Sequence, residues 1–112
     1  MREDSRVNTI QLRRYLLGEG TLDVFMDWWV NRVVPIRESF GYHVEFAYYV
    51  PETNEIVWAA KVAGDRAHFE EVEAAYDASP ERIEAFTHLP KGVVLEKHLH
   101  IVDELDFANW KR

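Results

Sequence analysis

The apolar residues of this chain change their spacing in a fixed order. They alternate from Val7 to Tyr15, recur in steps of three and four from Leu22 to Phe40, and alternate again on both sides of Pro51. A second helical pattern follows, and the last alternating stretch is Val93 to Val102. Alternation places side chains on two faces of a strand, and steps of three and four place them on one face of a helix. The pattern therefore reads strand, helix, strand, strand, helix, strand. Repeats and low-complexity segments do not interrupt it.

Local signals bound each element. In the first strand Ile10 and Leu12 point one way and Gln11, Arg13 and Tyr15 the other. Gly20 breaks the chain, and Thr21 is a good N-cap with Asp23 in the first turn, where the helix dipole favours an anion. Leu22, Phe25, Met26, Trp29, Val33, Ile36 and Phe40 form one apolar stripe, which Pro35 must kink or end. Tyr42–Val50 and Glu55–Val62 are β-prone, and Pro51, Glu52, Thr53 and Asn54 turn between them. Gly64 and Asp65 stop the strand and cap a helix to about Ala78, with Phe69, Val72, Ala75 and Tyr76 on its buried side. Ser79 followed by Pro80 starts a short helix through Phe86.

This order is the α+β ferredoxin-like βαββαβ arrangement, a single domain over residues 1–112 with tails at 1–6 and 106–112. Right-handed crossovers make the first and third strands central and place the last beside the first, so both helices cover one face of an antiparallel four-stranded sheet. On the uncovered face the alternation places Gln11, Arg13, Tyr15, His43, Glu45, Ala47, Tyr49, Glu96, His98 and His100. The helix side receives Ile10, Leu12, Val44, Phe46, Tyr48, Leu95, Leu99 and Ile101, with Lys97 falling among these apolar residues. A bare face of mixed polar and aromatic residues calls for a second copy of the chain packed on it. The fifteen aromatic rings among 112 residues point the same way, since one small core has difficulty enclosing them.

Composition excludes several function classes. A net charge of −7, spread along the chain, argues against nucleic acid and against an anionic membrane surface. With no cysteine, no disulfide, thiolate metal site or thiol nucleophile is possible. No apolar run approaches membrane-spanning length and the N-terminus lacks the core of a signal peptide, so a cytoplasmic setting is expected.

The run Gln11, Leu12, Arg13, Arg14, Tyr15, followed by Gly20, Thr21, Phe25, Trp28 and Trp29, resembles the opening of the NIPSNAP family. A second patch is similar to bacterial members: Val57, Trp58, Ala59, then Gly64, Asp65, Phe69, Glu73, Tyr76, Ser79, Pro80, Glu81 and Arg82. The resemblance spans about residues 7–105 and implies a dimeric α+β barrel in which two ferredoxin-like subunits pack sheet to sheet. That group includes cofactor-free monooxygenases of the antibiotic-biosynthesis type, muconolactone isomerase, chlorite dismutase and dye-decolourising peroxidases. For the NIPSNAP branch it implies no particular reaction. Gln11 stands where the family commonly has an acid, which puts any role of that acid in doubt here.

Arg13 and Tyr15, two residues apart on one strand face, would present donors to a carboxylate or enolate. The plain alternative pairs Arg13 with Glu45 or Glu96 and packs Tyr15 at a dimer seam. Glu96, His98 and His100 share one side of the last strand and could ligate a divalent metal, though cross-strand hydrogen bonding explains them as well. His98 or His43 could act as a general base. His68, His88 and His98 could each be named as a haem ligand, and nothing selects among them. The reading therefore assigns no cofactor and no metal. Phe25, Trp28 and Trp29 read as core, and Glu70, Glu71, Glu73 and Glu84 as a solvated helix face. Two functions follow. One is a homodimer binding a small, largely apolar ligand in a cavity on the open sheet face, through Gln11, Arg13, Tyr15, Tyr49, Glu96, His98 and His100. The other is a cofactor-free monooxygenase or isomerase with a histidine base and Arg13 and Tyr15 steadying an oxyanion.

Overall fold

A computed structural model describes residues 7–110. The expected tail at 1–6 and the last two residues lie outside them. The elements are β1 (Asn8–Leu17), α1 (Leu22–Trp28), a π-helical segment (Trp29–Val33), α2 (Val34–Ser39), β2 (Tyr42–Val50), β3 (Glu55–Ala63), α3 (Arg66–Ala78), α4 (Pro80–Phe86) and β4 (Val94–Val102). A 3₁₀ turn, Phe107–Asn109, follows. The four strands form one antiparallel sheet in the order β2-β3-β1-β4, the α+β ferredoxin-like topology.

The helical stretch 22–39 is not one α-helix. Pro35 cannot donate to the carbonyl of Asn31, and its ring would press on it. The five-residue π segment before it widens the turn, with the Val34 amide reaching back to Trp29, and Pro35 then falls in the first turn of α2. The wider turn rotates the inward face by a residue, so that Arg37 is buried beside Val33. Thr21 flanks α1 without capping it through its side chain. Its hydroxyl instead donates to the Gly18 carbonyl at 2.8 Å, tying the β1–α1 loop to itself. The other caps are as expected: the Asp65 side chain accepts from the His68 amide and Ser79 from Arg82.

The register reverses the expected faces of β1. Pairing across the sheet gives the rows Val44–Ala60–Gln11–Ile101, Ala47–Trp58–Arg13–Leu99 and Tyr49–Ile56–Tyr15–Lys97. These rows lie beneath the helices: Tyr15 meets Phe25 of α1 and Arg13 meets Glu73 of α3. Ile10 and Leu12 are therefore on the open face, not in the core. An irregularity between Val44 and Phe46 reverses β2 partway along, as a bulge does. His43 and Glu45 keep their expected place on the open face, but beyond the bulge Ala47 and Tyr49 turn to the helix side and Phe46 and Tyr48 to the open face. The open-face rows are His43–Lys61–Ile10–Val102, Phe46–Ala59–Leu12–His100 and Tyr48–Val57–Arg14–His98, with Glu55, Leu16 and Glu96 beyond. Phe46 and Tyr48 are in ring contact there, and Tyr48 is 67% exposed.

The core lies between sheet and helices. Trp58 at its centre is 0% exposed and packs edge-on against Trp29 and Tyr15, and Phe25 stacks on Trp29. Trp28 Nε1 donates to the Ala85 carbonyl at 2.8 Å, fixing α1 against α4. Among the described residues no helix is long and apolar enough to cross a membrane.

Candidate functional site

A cavity of about 150 Å³ opens between the sheet and the helices. β1 supplies Arg13 and Tyr15, the α1–α2 stretch Trp28, Trp29, Val33 and Arg37, α3 Glu73 and Asp77, α4 Arg82 and Phe86, and β4 Val94, Lys97 and Leu99. Four cations thus face two carboxylates in a protein whose overall charge is −7. Apolar walls around concentrated positive charge favour a small anion with an apolar body.

Glu73 organises one side. It accepts from Arg13 Nη2 at 2.8 Å and from the Tyr42 hydroxyl, and its Oε1 lies 3.6 Å from Arg37 Nη1. Arg13 is 4% exposed and has a partner on every nitrogen, since Nε donates to Gln11 Oε1 at 2.7 Å and Nη1 to the Tyr15 hydroxyl at 2.6 Å. Burial works against its charge, but Tyr15, Glu73 and Tyr42 outweigh burial and raise its pKa above the ordinary guanidinium value. Burial, then the bond to Glu73, raises the Tyr42 phenol against the opposing pull of Arg37 and Arg13.

Arg37 is held differently. Its guanidinium lies 4.2 Å from the Tyr76 ring centre, 4.6 Å from that of Tyr42 and 5.3 Å from that of Trp58. The rings satisfy charge but not hydrogen bonding. Among the described residues, the buried side-chain donors with no hydrogen-bond partner are Nε and Nη1 of Arg37, Nε of Arg82, Nε1 of Trp29, Nε1 of Trp58 and the Tyr76 hydroxyl. Arg82 stacks on Phe86 at 4.0 Å and sits 3.5 Å from Asp77 Oδ1, an ion-pair distance without a hydrogen bond. Arg37, Arg82 and Trp29 line the cavity, whereas Trp58 and Tyr76 do not. Unmet buried donors are costly, and an anionic guest would satisfy those that line the cavity.

Lys97 Nζ stands 5.3 Å from the Tyr15 ring centre and 5.2 Å from that of Phe86. The residue as a whole is exposed, yet its ammonium is held against these rings. Loss of water there, then repulsion from Arg13, Arg82 and Arg37 against a weaker attraction by Asp77, lowers its pKa to about 8.

The residues singled out in the sequence separate. Arg13 and Tyr15 come together, but beneath the helices rather than on the open face, and Arg13 pairs with Glu73 instead of Glu45 or Glu96. Gln11 stands behind Arg13 as its acceptor. Tyr49 donates to Asn54 Oδ1 at 2.6 Å by the hairpin turn, away from the cavity. Glu96, His98 and His100 remain on the open face, where His98 Nε2 lies 3.2 Å from Glu96 Oε1, and His43 lies 3.4 Å from Glu45. None of these histidines, nor His68 or His88, lines the cavity. No three histidine or acidic side chains among the described residues gather as a metal cluster. Glu73, Arg37, Arg82 and Lys97 escaped the sequence reading of the site. A signal for Glu73 existed: it lies four residues after Phe69 and three before Tyr76, on the stripe that α3 buries.

The same architecture recurs in solved structures. A NIPSNAP family protein of unknown function from Agrobacterium tumefaciens superposes with a TM-score of 0.78 at 15% identity, covering 92% of this chain and 93% of that one. The shared fold is that of the NIPSNAP proteins. A NIPSNAP-like domain protein from Burkholderia xenovorans gives 0.77 at 16% identity over 89% and 87% of the two chains. A putative antibiotic biosynthesis monooxygenase from Bacteroides thetaiotaomicron gives 0.66 at 17% over 90% and 92%. No family model matches the sequence, and no curated protein matches it. At these identities the likeness to NIPSNAP proteins is one of fold.

Proposed function

We propose that this chain is a single NIPSNAP-like domain that pairs with a second copy through its open sheet face and binds a small, largely apolar anion in the cavity between sheet and helices. The observation that carries the binding half is the set of buried donors on Arg37, Arg82 and Trp29 without acceptors. This moves the ligand from the open face to the covered one, and its anionic group from Arg13, whose nitrogens are all engaged, toward Arg37 and Arg82. The ring walls of Trp28, Trp29, Tyr15 and Phe86 favour an aromatic or aliphatic body. Benzoate is the natural first probe.

Titration calorimetry of benzoate tests this reading. Binding by the native protein is expected, with about tenfold weaker affinity in Arg82→Gln, the loss typical of one charge-assisted hydrogen bond. Equal affinity in both proteins, or heat from neither, would remove the assignment.

An enzymatic reading rests on a different pair. The likeness to a putative antibiotic biosynthesis monooxygenase and the 2.6 Å bond from Arg13 to the Tyr15 oxygen support an oxyanion site. Because Tyr15 accepts that bond, its own O–H remains able to donate to an enolate. His98 and His43 could serve as base only if a partner subunit brought substrate to the open face.

A further inference from the structure

Among the described residues, each guanidinium of the cavity has a carboxylate nearby: Arg13 and Arg37 have Glu73, and Arg82 has Asp77. Lys97, the fourth cation, has none within ion-pair distance among the described residues. Its amine instead stands over the rings of Tyr15 and Phe86, in the lining of the same cavity. Arg82 packs on the same Phe86 ring, which places a carboxylate-binding group and a primary amine on one aromatic wall.

We infer that Lys97 is an imine-forming residue, whose amine condenses with the carbonyl carbon of a small oxo acid while Arg82 and Arg37 hold that acid's carboxylate. The inference rests on the anion-binding reading of the cavity for the second contact only. Nζ first releases a proton to solvent. Its lone pair then forms a C–N bond to the carbonyl carbon, and the carbonyl oxygen takes a proton to give a carbinolamine. Loss of water breaks the C–O bond and leaves a protonated imine, so no oxidant or reductant is consumed. The titratable and charged groups that line the cavity with Lys97 are Arg13 and Tyr15 from β1, Arg37 from α2, Glu73 and Asp77 from α3 and Arg82 from α4. Loss of water, then repulsion from Arg13, Arg82 and Arg37 against a weaker attraction by Asp77, holds the amine at a pKa of about 8. An ordinary lysine at pH 8 is about a hundredfold poorer in free amine.

Glyoxylate, with cyanoborohydride to fix the imine as a secondary amine, tests this at pH 8 by peptide mass mapping. Lys97 is expected to label about tenfold faster than Lys61 or Lys91, since some of the gain in free amine is offset by lower basicity. Its labelling rate should fall as pH drops below about 8, and benzoate should slow it. Label at Lys97 no faster than at Lys61 and Lys91, with benzoate bound in calorimetry, overturns the imine alone. Fast label at Lys97 with no benzoate binding and no protection keeps the imine and removes the anion site.

Discussion

Glu73 carries two guanidinia and a phenol on one carboxylate, and its removal would leave Arg13 and Arg37 as buried charges without a counterion. Glu73→Gln is expected to lower stability by about 3 kcal/mol, read from the midpoint of urea unfolding. A loss within a few tenths of a kcal/mol would mean that the rings around Arg37 carry its charge unaided. Lys97 gives the opposite sign. Its folded pKa of about 8 lies below the unfolded value of 10.5, so between these the folded chain binds fewer protons and stability rises with pH. Lys97→Met should therefore raise the melting temperature at pH 7, and its advantage should shrink as pH climbs from 8 toward 10.5. An advantage constant with pH would refute the shift. Neither residue reads as a site from sequence, although the spacing of Glu73 from Phe69 and Tyr76 marks it as inward-facing. Its neighbours Glu70 and Glu71 make it read as part of a solvated face, and Lys97 reads as one polar interruption in an apolar alternation.

At the scale of elements the sequence was most informative, because order and approximate bounds follow from period alone. Where it failed, the period itself changes. The π segment forced by Pro35 brings Arg37 inward although a 3.6-residue count selects Ile36 and Phe40. The irregularity at Glu45 exchanges Phe46 and Tyr48 with Ala47 and Tyr49 between the faces. For β1, hydrophobicity pointed the wrong way, since Arg13 has polar partners that sequence alone does not bring together. Deleting Asn31 should restore an ordinary α turn and carry Arg37 off the rings of Tyr42 and Tyr76. Far-UV circular dichroism is expected to hold while benzoate binding is lost. Retained binding would mean the wide turn does not set the position of Arg37. The β1–α1 loop is tighter still: a Cβ on Gly18 would lie 2.0 Å from the Gly92 carbonyl oxygen. Backbone, unlike a side-chain tip, cannot swing away, so Gly18→Ala is expected to lose about 2 kcal/mol in the same unfolding measurement.

For the whole molecule the open sheet face matters most. Ile10, Leu12, Leu16, Phe46, Tyr48 and Val57 lie on it together, an apolar surface larger than single exposed residues explain. Around them stand Arg14, Glu55, His43, Glu45, Lys61, Glu96, His98 and His100, of both signs. An apolar centre with a mixed charged rim is self-complementary under a twofold axis, where each acid can find a base on the other copy. Leu105, Phe107 and Trp110, just beyond β4 in sequence, are also exposed. The expected mass in sedimentation velocity is therefore twice the chain's 13.2 kDa. Leu12 lies mid-strand between Ala59 and His100, so Leu12→Glu would place a charge at the centre of the contact. A folded monomer is the expected result, since the residue contributes nothing to the core beneath the helices. Native protein sedimenting as a monomer would leave that surface wet and dissolve the case for a barrel, while benzoate binding, being internal to one chain, would survive.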